Sequence, residues 1–141
     1  MESNFGLVLS GISQGLPVLL LHFVATLLLL ALGVFCYTRI TPFHETELVR
    51  GGNIAAGIVL SGTIVALAIP LAAMLATSIV LLDIIIWGII ALVLQFAAFG
   101  ITTLLFRGIK PLIEGGNVAV GLAVAAGQIG IGLLNAGALA G

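Results

Sequence analysis

The sequence predicts an all-α, polytopic membrane protein: four transmembrane helices arranged as two tandem, parallel copies of a two-helix unit. Three observations predict it. Apolar residues make up 62% of the 141-residue chain and charged residues only 6%, against about 25% charged in soluble domains. The apolar residues fall into four runs, each near the ~20 residues a helix needs to cross a ~30 Å hydrocarbon core. A Gly-Gly-Asn-x-Ala-x-Gly segment also occurs twice, each time at the start of a run.

The runs cover residues 16–37, 53–74, 79–106 and 117–138. Closed barrels, the other way to span a bilayer, need alternating apolar and polar residues. Leu27-Leu28-Leu29-Leu30 and Ile84-Ile85-Ile86 do not alternate, so the spans are helices. Pro70 lies late in the second run, where a kink or a loosened last turn is expected. The N-terminus has neither a basic segment nor a small-residue cleavage site, so the first run is expected to be retained as a span. The whole chain reads as a single membrane domain, residues 1–141.

Two connections are polar, residues 38–52 and 107–116, and a tight turn near residues 76–78 joins the middle spans. All four basic residues (Arg39, Arg50, Arg107 and Lys110) lie in the polar connections. The positive-inside rule therefore places both connections in the cytoplasm and both termini outside. A net charge of −1 offers no field for nucleic acid.

The duplicated segment sets the internal symmetry. Residues 51–57 and 115–121 share five of seven identities, and Asn53 becomes Asn117 at an offset of 64. The same offset carries the first span onto the third, with Phe23 meeting Trp87 and Phe35 meeting Phe99. Each unit (about 15–76 and 79–140) holds two spans, so both copies insert in the same direction. Locally, Gly52 and Gly116 release the loop, and Asn53 and Asn117 are good N-cap residues. Gly57 and Gly121, one turn on, would admit a close neighbouring helix.

On these segments the chain resembles an uncharacterised bacterial membrane family catalogued as domain of unknown function 350. The likeness is carried by T-P-F-H-E-T-E-L-V-R-G-G-N-I-A-A-G-I after the first span, by L-L-D-I-I-I-W-G-I-I-A-L-V-L-Q-F leading the third, and by I-E-G-G-N-V-A-V-G-L opening the fourth. It extends from about Leu20 to the C-terminus. The resemblance implies a small four-span protein of the bacterial inner membrane, sometimes encoded near envelope-stress genes. It implies no activity.

Polar residues inside spans cost free energy and are the candidates for chemistry. In the predicted topology His22, Asp83 and Asn135 lie toward the outer face. Gln95 and Gln128 lie near the midplane, each about 16 Å from the inner end of its span at ~1.5 Å per residue. Asp83 reads either as a carboxylate on an ion or proton path, paired with His22, or as an anion at a positive helix end beside the interface anchor Trp87. Gln95 and Gln128 suit interhelical hydrogen bonds. Asn117, Gly121, Gln128 and Asn135 share one face of the fourth span, either a packing seam or the lining of a central pathway.

No metal site, cofactor or catalytic group is expected. His44-Glu45-Thr46-Glu47 reads as a solvated patch, and lone Cys36 as a small apolar residue. The function that fits is a non-enzymatic, oligomeric inner-membrane module or scaffold linked to envelope maintenance. Its partners would be the lipid bilayer, copies of itself and a cytoplasmic or peripheral protein. The alternative is a small channel or transporter that uses Asp83.

Overall fold

The computed structural model describes residues 4–105 and 108–141. Phe106 and Arg107, which the sequence reading places at the end of the third span and in the second polar connection, lie outside the described residues. Six helices follow in order: α1 (Asn4–Ile40), α2 (Glu45–Arg50), α3 (Ile54–Thr77), α4 (Leu81–Leu105), α5 (Ile109–Glu114) and α6 (Val118–Ala140). Four of them, α1, α3, α4 and α6, are long and apolar enough to cross a membrane.

Two features depart from the sequence reading. The first span starts earlier than residue 16. Residues 4–15 contain no proline, and the Ser10 and Ser13 hydroxyls bond back to the Leu7 and Ser10 carbonyls, so the helix continues to Asn4. At ~1.5 Å per residue α1 is about 55 Å long, well beyond the hydrocarbon thickness. It is exposed from Asn4 to Leu21 and begins to pack at His22. The polar connections are also not open loops, because each holds a six-residue helix, α2 or α5.

Those two segments use the same local chemistry. Gly51 N–H donates to the Glu47 carbonyl, Gly52 to Val49 and Asn53 to Leu48. Sixty-four residues on, Gly115 donates to Pro111, Gly116 to Ile113 and Asn117 to Leu112. Gly52 and Gly116 hold φ of 84° and 78°, a left-handed conformation that a side chain would strain. Asn53 and Asn117 then cap α3 and α6, their side-chain oxygens accepting from Ala56 and Val120 N–H.

The centre of the molecule is the α3/α6 pair. The two helices run parallel with their backbones in contact at three levels: Ala55 with Gly121, Gly62 with Ala125, and Ala66 with Gly132. A methyl group added at Gly121 would lie 2.9 Å from the Ala55 carbonyl oxygen. Small residues admit this approach, and dispersion at short range replaces the hydrophobic drive that lipid removes. Helices α1 and α4 pack against this pair. Gly33 of α1 lies against Leu67 and Leu92, and Gly88 of α4 against Leu29 and Leu71. One apolar core joins Leu29, Leu67, Leu71, Ile84 and Leu92. A second, at the end carrying the polar connections, joins Phe43, Ala55, Ala56, Val59 and Ile113. Pro70 is buried within α3, which continues to Thr77.

Candidate functional site

The α6 face that carries Gly121, Gln128, Gly132 and Asn135 is buried inside the bundle. Gln128 is its hub. The Thr63 hydroxyl on α3 reaches both the Gln128 Oε1 and its own-helix Val59 carbonyl. Gln95 Nε2 on α4 donates to the Gln128 backbone carbonyl at 3.0 Å. One turn earlier on α4, the Ala91 carbonyl accepts from Asn135 Nδ2 at 2.9 Å. Such bonds each contribute ~1 kcal/mol or less in a bilayer. Their main effect is to fix which helix faces which.

From Gln128 the network runs toward the polar connections. Gln128 Nε2 donates to the Tyr37 hydroxyl at 3.3 Å, and Tyr37 donates to Glu45 Oε1 at 2.8 Å. Tyr37 is held by an edge-to-face contact with Phe99, centroids 4.9 Å apart. Glu45 is only 1% exposed. This overturns the reading of residues 44–47 as one solvated patch: His44, Thr46 and Glu47 are exposed, whereas Glu45 points inward. The reason is the short helix α2. Buried Phe43 precedes it and half-buried Leu48 packs on the same core, so Glu45, between them, is carried under Tyr37. Burial pushes the Glu45 carboxyl up to about 7, while hydrogen bonds from Tyr37 and Thr41 act to lower it.

The other candidate residues lie elsewhere. Asp83 is exposed in the first turn of α4, beside a recess of about 510 Å³ that Trp87, Ser78 and the C-terminal residues also line. His22 is half-buried on α1, where its carbonyl accepts from Thr26. The pairing of His22 with Asp83 is not formed. The only ion pair among the described residues is Lys110–Glu114, at 3.8 Å on the surface. Asp83 sits at the entry of its helix rather than on the buried face, which separates it from the polar network. Among the described residues no three His, Cys, Asp or Glu side chains gather as metal ligands would.

Asn53 and Asn117 are not equivalent. Besides capping α3, Asn53 Nδ2 donates to the Ile113 and Glu114 carbonyls at 2.9 and 3.1 Å, tying α3 to the end of α5. Asn117 makes the cap alone among the described residues. Gly57 is not a packing position, since a methyl there would only graze Val49, whereas Gly121 lies hard against α3.

A family model described as Domain of Unknown Function (DUF350) matches residues 11–139. That span includes every residue of the network. The chain belongs to this family. The DUF350 chain is 32% identical over 103 residues to the UPF0719 inner membrane protein YjfL of Escherichia coli K12, covering 73% of this chain and 78% of that one. The protein of the same name in Escherichia coli O157:H7 matches equally. No solved structure matches.

Within this DUF350 protein the two Gly-Gly-Asn caps make a measurable contrast. Asn117→Ala should cost ~1 kcal/mol, the value of one cap. Asn53→Ala also removes the two bonds to the Ile113 and Glu114 carbonyls, the first of which keeps Gly116 N–H as a donor, and should cost ~2–3 kcal/mol. Unfolding midpoints in mixed detergent and dodecyl sulfate would check this, and equal losses would show that the cross-tie contributes nothing.

Proposed function

We propose that this protein is a non-enzymatic module of the bacterial inner membrane that assembles with copies of itself. The observation that carries the reading is how its helical glycines divide. A glycine inside a helix costs ~1 kcal/mol relative to alanine, so each one asks for a reason. Gly33, Gly62, Gly88, Gly121 and Gly132 have one, because a methyl at any of them would strike a neighbouring helix. Gly127, Gly130 and Gly137 meet nothing, are exposed, and share one helical face with Ala123. Leu134 stands on the same face between Gly130 and Gly137, so the smooth part is Ala123, Gly127 and Gly130. Lipid gains nothing from it, but a second protomer's helix does, by approaching closely.

A groove of about 770 Å³ alongside the α3/α6 seam, lined by Gly57, Ser61 and Ala126, adds further small-residue surface. The inner-membrane location follows the name of the E. coli relatives. The placement of the four basic residues supports polar connections in the cytoplasm and termini outside. There, exposed His44, Glu47, Arg50 and Lys110 face a cytoplasmic or peripheral partner. The recurrence of one hydrogen-bond scheme at an offset of 64 supports reading the halves as parallel copies of one two-helix unit. Envelope maintenance, the setting implied by the family resemblance, suits a module that performs no chemistry of its own.

Gly127→Leu and Gly130→Leu test this reading. Both should reduce the mass of the detergent-solubilised particle toward that of a single protomer, with helicity unchanged. An unchanged mass in both variants overturns self-association through α6.

A further inference from the structure

We propose that Glu45 is a proton-binding site on the face that carries both polar connections, and that its proton sets how firmly α2 is docked on the spans. The geometry is unusual for a connection between spans. Glu45 is the one buried acid among the described residues, and it sits at the outer end of a hydrogen-bonded chain, Thr63–Gln128–Tyr37, that reaches into the bundle. Only one of its oxygens is satisfied. Oε1 accepts from Tyr37, while Oε2 is buried with no partner. A buried carboxylate needs several donors or a cation.

Neither is present among the described residues. Tyr37, on α1, is the titratable group that meets Glu45. His44, Glu47 and Arg50 on its own segment are exposed, as are Lys110 and Glu114 on α5. Arg39 lies over the Phe35 ring. Helices α3 and α6 carry no charged residue, and Asp83 of α4 is at the opposite end of the molecule.

The neutral acid is therefore the form that fits the closed pocket. Its carboxyl already lies near neutrality, raised by burial to about 7. Loss of the proton leaves an anion bonded by the Tyr37 hydroxyl, with the Thr41 hydroxyl beside it already donating to the Tyr37 carbonyl, too few donors for a buried charge. Water must then reach Oε2, which requires α2, held by only six residues and the Phe43 and Leu48 contacts, to lift from the core. The ligand is the proton itself, and the response is the docking of the first polar connection. The positive-inside placement proposed above makes it a reporter of cytoplasmic pH, but the site itself does not depend on that placement or on self-association.

The test uses the full chain in lipid nanodiscs. Infrared spectroscopy follows the carbonyl band of a protonated carboxyl, and a nitroxide at Glu47→Cys, in a Cys36→Ala background, follows α2. The band should disappear with a midpoint near neutrality, and the label should gain mobility over the same pH range. Glu45→Gln should remove both responses. Should that variant fail to fold, Tyr37→Phe, which removes a donor to the carboxylate, should move the midpoint upward. A midpoint near 4.5, the ordinary glutamate value, or a band that survives Glu45→Gln, overturns the proton site. Label mobility that ignores pH while the band titrates overturns the link to α2.

Discussion

Gly132→Ala should unfold this protein far more readily than its one added methyl group suggests. That methyl would lie 2.5 Å from the Ala66 carbonyl oxygen and 3.1 Å from its Cα. Both are backbone atoms, so no rotamer change can relieve the clash. The helices must move apart, and overpacking of this kind costs ~1–3 kcal/mol or more. The separation would also pull on the bonds one turn to either side, Thr63 to Gln128 and Asn135 to Ala91. An expected loss of about 3 kcal/mol follows, measured as an earlier unfolding midpoint by circular dichroism in mixed micelles. Gly100→Ala is the matched control: a methyl there meets nothing, and better helix propensity should make it neutral or stabilising by up to ~1 kcal/mol. Similar midpoints for the two variants would show that the α3/α6 contact is not the tight one described.

The second large effect is a loss of stability as pH rises. The Glu45 carboxyl is held near 7 in the folded protein against an ordinary value of 4.5. The folded state thus binds the proton more tightly than the unfolded chain, and the associated stability is fully present below about 4.5. It is lost as pH rises from there through about 7, and the profile is flat above. A factor of ten in proton affinity is ~1.4 kcal/mol, so the separation amounts to on the order of 3 kcal/mol. Exposed Glu47, Asp83 and Glu114 have no comparable burial to lose. Unfolding measured at pH 5 and pH 8 should show the wild type weaker at pH 8 and Glu45→Gln nearly level. A wild type that strengthens over that interval would reverse the assignment.

The spans were legible because hydropathy is a strong, one-dimensional signal. Residues 53–74 and 117–138 of the sequence become α3 and α6 with ends shifted by at most three residues. The caps were legible too, since Asn after Gly-Gly has one common use. The network was not. Tyr37 and Glu45 lie at a span end and in a charged connection, where exposure is the ordinary expectation. Only the short helix between Phe43 and Leu48 turns Glu45 inward, and six residues give little periodicity to read. Thr63 looked like any small residue in an apolar run. Asp83 drew notice as the one acid within a span, yet the fold leaves it exposed at a helix entry. Rarity identified the residue, but burial and partners decide its use.

The close approach of α3 and α6 also has a mechanical side. Helices separated by layers of leucine can slide or roll as side chains change rotamer. Two helices whose backbones touch at three levels over some 16 Å have no such clearance, and they move as one stiff shaft. Any shape change must then occur around that shaft, in α1, α4 and the two short helices. Asn53, anchored at its end and bound to the α5 carbonyls, makes the second connection turn with it.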